Sequence, residues 1–449
     1  MLSLPVLAFA AALPAAGDWV PMRWPSSDPR SLDLLSGTPV NCLLLEPRSW
    51  SAEFSAAAAS QGIVTLGVIR PDQAELAARA GPAGLNGVVL EGVFDKPVAA
   101  GGLTVIEMPP RARLRFDPPP VVLATSQGVW PGIDAAEEES KAAPSGAPWI
   151  HTNSGFLRFV RAMTTAPVWM GCQPPPGVVF PAARYLQAVG DAAITGARWV
   201  ISLDQDLNQR LLARDPPALR DWNRIASHVH FFEQHREWRR MELTGGLALV
   251  QDTGSGGLLS GGILDMIAVK HTPVRAVPGR YLDDTRMRGA RMAVNVDPAA
   301  LDEARKETLR RFTRGGGTLL TAPPGWKFPP PRDDRITLDK EDIAILDSIW
   351  REISSMTGRH NLGVRLFNVA STLSTLSSPA AGRPLVLQLV NYSDYPVENI
   401  TAHILGRFTR ADLYEPGGAA PKKLAPYESE DGTGVDIDRV STVAALVLE

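Results

Sequence analysis

Ile63-Val64-Thr65-Leu66-Gly67-Val68-Ile69 is the stretch on which the fold turns. Its apolar residues fall on both parities, so neither face is meant for water. That is the pattern of a strand covered on both sides. Alanine-rich segments flank it, Ser51–Gln61 before and Asp72–Ala80 after. Working outward, similar runs recur at Val40–Leu45, Gly87–Leu90, Leu103–Ile106, Val121–Thr125, Trp149–Thr152, Val168–Met170 and Trp199–Leu203. Pro181–Thr195 opens with proline at a first helical position, and Ala218–Met241 is long and amphipathic. Eight strands with intervening helices over residues 18–244 predict an α/β (β/α)8 TIM-like barrel. Loops at Asp95–Gly102 and Pro109–Pro120 stand where helices belong, so the expected barrel is partly degenerate. A large doubly wound sheet is the competing topology.

Leu243-Thr244-Gly245-Gly246 breaks the pattern. Residues 245–330 then carry their own α/β order. Strands are expected at Leu247–Gln251, Val274–Val277, Met292–Val296 and Thr318–Thr321, with helices at Ser260–Val269 and Pro298–Thr313. This reads as a small flavodoxin-like or amidotransferase-like domain. Proline-rich Pro323–Arg332 reads as a linker, and residues 331–360 are expected as linker and helix, the helix at Lys340–Met356. Residues 361–449 turn all-β, with alternating runs at Leu385–Asn391, Ile400–Ile404, Arg410–Tyr414, Gly434–Ile437 and Val443–Leu448, the spacing of a β-sandwich.

At 449 residues the chain is too long for one ordinary core. Hydrophobic residues make up 45% and charged residues 21%, with a net charge of −3 and the two signs mixed. That balance offers no footprint for nucleic acid and points to a neutral or small-molecule partner. Leu2–Leu13 is apolar and Ala15-Ala16-Gly17 supplies small residues, so residues 1–17 are expected to be a signal peptide. The run is shorter than the ~20 residues a bilayer span needs. A secreted or periplasmic protein with no membrane segment in its mature form follows as an expectation. Cys42 and Cys172 are the two cysteines, on different strands, and are expected as two buried free thiols. With no CxxC pair and no Cys/His cluster, no metal site and no cofactor are expected.

Three stretches carry a resemblance. Gly256-Gly257-Leu258-Leu259-Ser260-Gly261-Gly262-Ile263-Leu264-Asp265 is similar to the opening of the middle domain of family 42 β-galactosidases. Ala300–Ala322, a helix running into Arg-Gly-Gly-Gly-Thr-Leu-Leu-Thr-Ala, is similar to a later part of it. Leu387-Gln388-Leu389-Val390-Asn391-Tyr392 and Asp436–Glu449 look like their C-terminal β-domain. The order barrel, amidotransferase-like domain, β-domain is also theirs. The resemblance implies a barrel-type glycoside hydrolase. In those enzymes an acid/base glutamate follows an asparagine after strand four, and a nucleophile glutamate ends strand seven. Here the corresponding runs end Ile106-Glu107 and Met170-Gly171-Cys172-Gln173, so neither motif transfers intact. The middle domain lacks glutaminase chemistry, which needs a cysteine near a histidine. It is expected to be structural, in homo-oligomerisation or at the rim of a cleft.

Reactive groups of a barrel sit at the C-terminal ends of its strands. Glu46, Glu91, Glu107 and Asp204 each follow an apolar run directly. Residues two apart share a face. With Glu91 inward, Val89 is inward; with Asp204 inward, Val200 and Ser202 are. Glycoside hydrolysis needs one protonated and one ionised carboxyl, ~5–5.5 Å apart for retention and ~6.5–9.5 Å for inversion. Asp204 and Glu91 are the expected pair, with Glu107 as substitute; the alternative for each is a helix cap or an arginine partner. Glu46, Trp130, Asn153, Gln173 and Tyr185 are candidates for binding a carbohydrate, by stacking or hydrogen bonding. Trp169 and Trp199 are assigned to packing. His228, His230 and His235 share a helix without a zinc motif, and Asp204-Gln205-Asp206 lacks the glycine and glutamate of a calcium loop. Three readings remain: a glycoside hydrolase, an inactive carbohydrate-binding relative, and a structural protein on the same scaffold.

Overall fold

Pro21–Trp24 is a strand (β1), although its proline and arginine hide it from an apolar-run search. In the computed structural model, which describes residues 13–133, 149–251, 261–324, 326 and 336–449, β1 pairs with Cys42–Leu45 (β2). The parallel sheet continues through Val64–Ile69 (β3), Gly87–Glu91 (β4) and Thr104–Met108 (β5). Leu123–Thr125 (β6), Val168–Gly171 (β7) and Arg198–Val200 (β8) form a second parallel sheet in the order β8-β7-β6. A parallel bridge between Met22 and Ile201 joins β1 to the chain just after β8. The Arg23 amide donates to Ile201 at 2.8 Å, and the Ile201 amide to Pro21 at 3.0 Å.

Among the described residues no ladder joins β5 to β6, so the hydrogen bonding is open there. Side chains bridge that seam instead. Thr125 Oγ1 donates to the Pro109 carbonyl at 2.8 Å, and the Arg111 amide to Gln127 Oε1 at 2.8 Å. Leu44, Val68, Val89, Met108, Ala124, Trp169 and Val200, one from each of β2 to β8, share a single hydrophobic core. Val89 and Val200 lie in it, as parity requires if Glu91 and the residues two and four after Val200 face the same way.

The expected strand at Trp149–Thr152 is corrected. Only Ile150–His151 is extended, and it pairs antiparallel with Gly132–Ile133. Asp72–Ala80 is likewise a 3-10 turn, Pro71–Leu76, followed by the single helical turn Ala77–Ala80. Ala52–Ser60 (α1) is a full helix, capped by Ser51 Oγ, which accepts the Phe54 amide at 3.3 Å. Between β4 and β6 lies one 3-10 turn, Arg111–Arg113, where the sequence predicts loops.

Contacts divide the chain into two compact units. One comprises residues through Gln127, Ala166–Phe180 and Arg198–Ala226; the other comprises Gly128–Thr165, Pro181–Ala197 and Ser227–Glu449. Helices Ser154–Met163 (α2) and Ala182–Ala193 (α3) thus belong with the C-terminal half. Gln205–Leu212 (α4) lies in the first unit, and Pro216–Gln234 (α5) runs from one into the other. The helix expected to reach Met241 stops at Gln234, and a 3-10 turn, Arg236–Arg240, follows.

In the second unit, Leu247–Gln251 (β9), Val274–Pro278 (β10), Met292–Asn295 (β11) and Thr318–Thr321 (β12) form a parallel sheet in the order β10-β9-β11-β12. Gly262–Val269 (α6) and Glu303–Arg314 (α7) are its connecting helices, and Lys340–Thr357 (α8) follows. Residues 256–260 of the Gly256–Asp265 stretch, most of Pro323–Arg332, and residues 1–12 of the expected signal peptide lie outside the described residues.

The C-terminal strands are Val364–Phe367 (β13), Thr372–Ser378 (β14), Leu385–Asn391 (β15), Val397–Leu405 (β16), Ala411–Tyr414 (β17), Lys422–Leu424 (β18), Tyr427–Ser429 (β19), Gly432–Val440 (β20) and Val443–Leu448 (β21). They make two antiparallel sheets, β14-β15-β21-β17-β18 (edged by Glu242–Leu243) and β13-β16-β20-β19. Leu387 and Leu446 of the first share a core with Ile400 and Ile437 of the second. Alternation along β16 and β20, apolar inward and polar outward, is what builds that core.

Candidate active site

Four charged side chains rise one layer above the core of the first unit. Arg23 lies on β1, Glu46 directly follows β2, Arg70 directly follows β3, and Glu91 ends β4. Register places Arg23 beside Leu44. Glu46, Arg70 and Glu91 each stand two residues beyond a core residue, Leu44, Val68 and Val89. Adjacent strands are ~4.8 Å apart, so neighbouring strand ends put their charges in contact. The signs alternate accordingly.

Arg70 grips Glu46 with both terminal nitrogens, Nη1 to Oε2 at 2.7 Å and Nη2 to Oε1 at 2.9 Å. The same Nη2 lies 3.4 Å from Glu91 Oε2. Arg23 Nη2 donates to Glu91 Oε1, and its Nη1 reaches Glu46 Oε1 at 3.5 Å. The Glu91 side chain is only 10% exposed, that of Glu46 30%. Burial pushes the Glu46 carboxyl up, but the hydrogen bonds and charge of Arg70, helped by Arg23, outweigh it and hold the group below its ordinary value. The Glu46 partnership in turn raises Arg70.

Asp204 is deeply buried and caps α4. Its Oδ1 accepts the Leu207 amide at 2.9 Å, and its Oδ2 the Phe180 amide at 3.1 Å. The helix-cap alternative therefore describes it, and Asp204 and Glu91 are held by different sets of partners. Glu107 lies apart from this cluster. It pairs in register with Leu90, on the parity opposite to the core residues Ile106 and Met108, and is exposed. It lines a cavity of about 500 Å³ with Asp95, Lys96, Arg113 and Arg115, on the other face of the sheet from Glu91.

The binding candidates scatter. Tyr185 is 1% exposed and meets Trp130 edge-on, centroids 5.5 Å apart, as a packing pair within the second unit. Asn153 is fully buried: its Oδ1 accepts the Val129 amide at 2.8 Å, and its Nδ2 donates to the Val129 carbonyl at 2.9 Å and to Asp191 Oδ2 at 2.8 Å. Gln173 is exposed, just past β7. Of the eight candidates the structure brings together two pairs, Glu46 with Glu91 through shared arginines and Trp130 with Tyr185 as a packing contact. Sequence reasoning missed both arginines: Arg70 shares the parity and strand-end position that singled out the acids, whereas Arg23 lies inside β1, in register with Leu44.

Cys172 follows β7 and is half-buried rather than buried; Cys42 is buried, and both are free thiols. Burial raises the Cys172 thiol to about 11, with Arg111 and Arg23 pulling the other way, so it is neutral at pH 7. Among the described residues no group of His, Cys, Asp and Glu could hold a metal ion, and no helix is long and apolar enough to cross a membrane.

No family model matches the sequence, and no curated protein does. Solved structures do. α-L-Fucosidase isoenzyme 2 from Paenibacillus thiaminolyticus superposes with a TM-score of 0.61, at 10% identity, over 96% of this chain and 99% of that one. The two folds correspond over nearly the whole of both chains. Two further solved structures match less well. A GH42 β-galactosidase from G. stearothermophilus matches with a TM-score of 0.43 at 10% identity, over 88% of this chain and 66% of that one. A rhamnosidase from Novosphingobium sp. PP1Y matches with 0.46 at 11% identity, over 90% and 40%.

Proposed function

We propose that this glycoside-hydrolase fold binds saccharide at the C-terminal ends of β1–β8, arranged as a degenerate (β/α)8 barrel, and does not cleave it by paired carboxylates. One observation carries the reading: Glu46 and Glu91 share the same two arginines. Cleavage needs one carboxyl protonated and one ionised. Glu46 is held toward its ionised form, and both oxygens of Glu91 face guanidinium groups. With β1 counted, the fourth strand ends at Glu91 and the seventh at Gly171-Cys172. In the enzymes that the sequence resembles, those two ends carry the acid/base and the nucleophile. Here the second position holds a neutral thiol, which is a poor nucleophile. Guanidinium donors and carboxylate acceptors in one cluster suit sugar hydroxyls. Export directed by Leu2–Leu13 belongs to the same proposal.

Purified protein is expected to release no aryl leaving group from a panel of aryl-glycosides, while calorimetry detects oligosaccharide binding that Glu91→Gln weakens. A second reading rests on the Arg70 Nη2 contacts at 2.9 and 3.4 Å. Two oxygens on one nitrogen at those distances lie at most ~6.3 Å apart, a limit that admits the ~5–5.5 Å spacing of a retaining pair. Cleavage lost in both Glu46→Gln and Glu91→Gln would establish that reading and overturn the first.

A further inference from the structure

A second cavity, of about 370 Å³, lies wholly within the second unit, between the C-terminal half of α5 and the turn joining β17 to β18. Its size falls in the range of small-molecule sites, about 300–1,000 Å³. Its aromatic wall belongs to a packed ring cluster. The His235 imidazole stacks on Trp238 at 4.1 Å and 5°, with Tyr414 edge-on to both at 5.0 and 5.8 Å. Phe231 meets both His235 and Trp238 edge-on, at 5.3 and 5.8 Å. Polar groups converge from two elements: Ser227, His230 and Gln234 from successive turns of α5, and Glu415 from the turn. Their side chains make no hydrogen bond to the described residues. Gly417, at φ 79, lets the turn bend over the helix, its missing Cβ 3.8 Å from Ser227 Oγ.

We infer that this cavity is a saccharide-binding site separate from the strand ends, taking a neutral sugar ring. Glu415 repels an anion. Lys422 and Arg439 act on Glu415 and weaken the site's pull on a cation. A neutral ligand with one apolar face and several hydroxyls satisfies both the aromatic wall and the unpartnered donors and acceptors. The choice of ligand rests on the saccharide reading proposed above; the site itself rests on its own geometry.

The test titrates neutral di- and trisaccharides containing glucose, galactose, fucose or rhamnose into the full chain by calorimetry and saturation-transfer NMR. Gln234→Ala and Glu415→Gln lie at exposed or half-exposed positions, and their melting curves are recorded alongside to confirm folding. The expected result is two saturable sites. One weakens about fivefold to tenfold in each cavity variant and is untouched by Glu91→Gln. Binding that is unchanged in both cavity variants but lost in Glu91→Gln overturns the cavity site and leaves the strand-end reading standing. Binding lost in the cavity variants alone supports the cavity and overturns the strand-end site. If no neutral saccharide binds wild type, both are overturned.

Discussion

His271 follows α6 with φ 59, a left-handed conformation rare outside glycine and asparagine. Its Nε2 lies 3.1 Å from the Val369 carbonyl, which can only accept, so Nε2 carries the proton. Its Nδ1 is buried without a partner. Burial lowers this imidazole from 6.5 to about 4. The folded form resists protonation, so the stability it contributes is complete above pH 6.5 and is lost as pH falls toward 4. Urea titrations of wild type should show this loss, at most about 3 kcal/mol. His271→Asn tolerates the same backbone and should flatten it; an unchanged slope would refute the assignment. Asp191 acts with the opposite sign. Burial raises its carboxyl despite hydrogen bonds from Thr152, Tyr392 (2.6 Å) and Asn153. Its proton is held more tightly in the folded state, so its contribution is complete below 3.8 and declines as pH rises through the raised value. Tyr392→Phe removes one donor to Asp191 and should cost about 1–3 kcal/mol. Stability equal to wild type in Tyr392→Phe would count against this hydrogen bond.

Helices α2 and α6 approach closely because Gly155 and Gly261 face each other. A Cβ on Gly155 would lie 2.1 Å from the Gly261 carbonyl oxygen. The closeness lets Asp265 Oδ1 accept from Ser154 Oγ at 2.9 Å and from the Gly155 amide at 2.6 Å, at the N-terminal end of α2 where free amides favour a carboxylate. Gly155→Ala should therefore lower stability by about 2 kcal/mol or more, because the obstacle is backbone rather than a yielding side chain. A melt within error of wild type would show that the helices can part without cost. Asp204→Ala is the matching test in the first unit. Losing a cap costs about 1–2 kcal/mol, and the stranded Phe180 amide adds to it. Elements with a single internal signature were legible from sequence. β3, β9, β15 and α8 fall within two residues of their expected bounds, because parity or helical period repeats within each. β1 was not, since Pro21 and Arg23 break its run and its strand character comes from partners on both sides. The Gly155–Gly261 approach joins residues far apart in the chain, and neither glycine announces the other.

Three layers were expected from local pattern: a barrel to residue 244, a small α/β domain, and a β-domain. The strand content of each is present, yet the compact units do not follow that order in the chain. Arg158 of α2 explains why. Its guanidinium is buried, lowered to about 10 by burial, and donates from Nη2 to the Ser374 carbonyl and to Thr375 Oγ1, both at 2.9 Å, on β14. From α3, Asp191 receives Tyr392, just past β15. Arg158 thus finds these partners, and Asp191 one of its donors, only with C-terminal strands in place. Local periodicity cannot reveal this, since a helix between two barrel strands looks the same whichever core it joins. The same limit hid the site: the acids were visible one by one, whereas the arginines that neutralise them belong to other strands. A chain cut after Thr244 would keep all eight parallel strands but leave Arg158 and Asp191 without these partners, and an uncompensated buried charge costs about 3–5 kcal/mol. That exceeds much of the ~5–15 kcal/mol that holds an ordinary domain together. Residues 18–244 expressed alone should therefore lack a cooperative thermal transition and the near-ultraviolet circular dichroism of packed tryptophans. Adding Arg158→Met and Asp191→Asn should restore part of that signal. A fragment that melts cooperatively without those changes would show that the helices answer to the parallel strands after all.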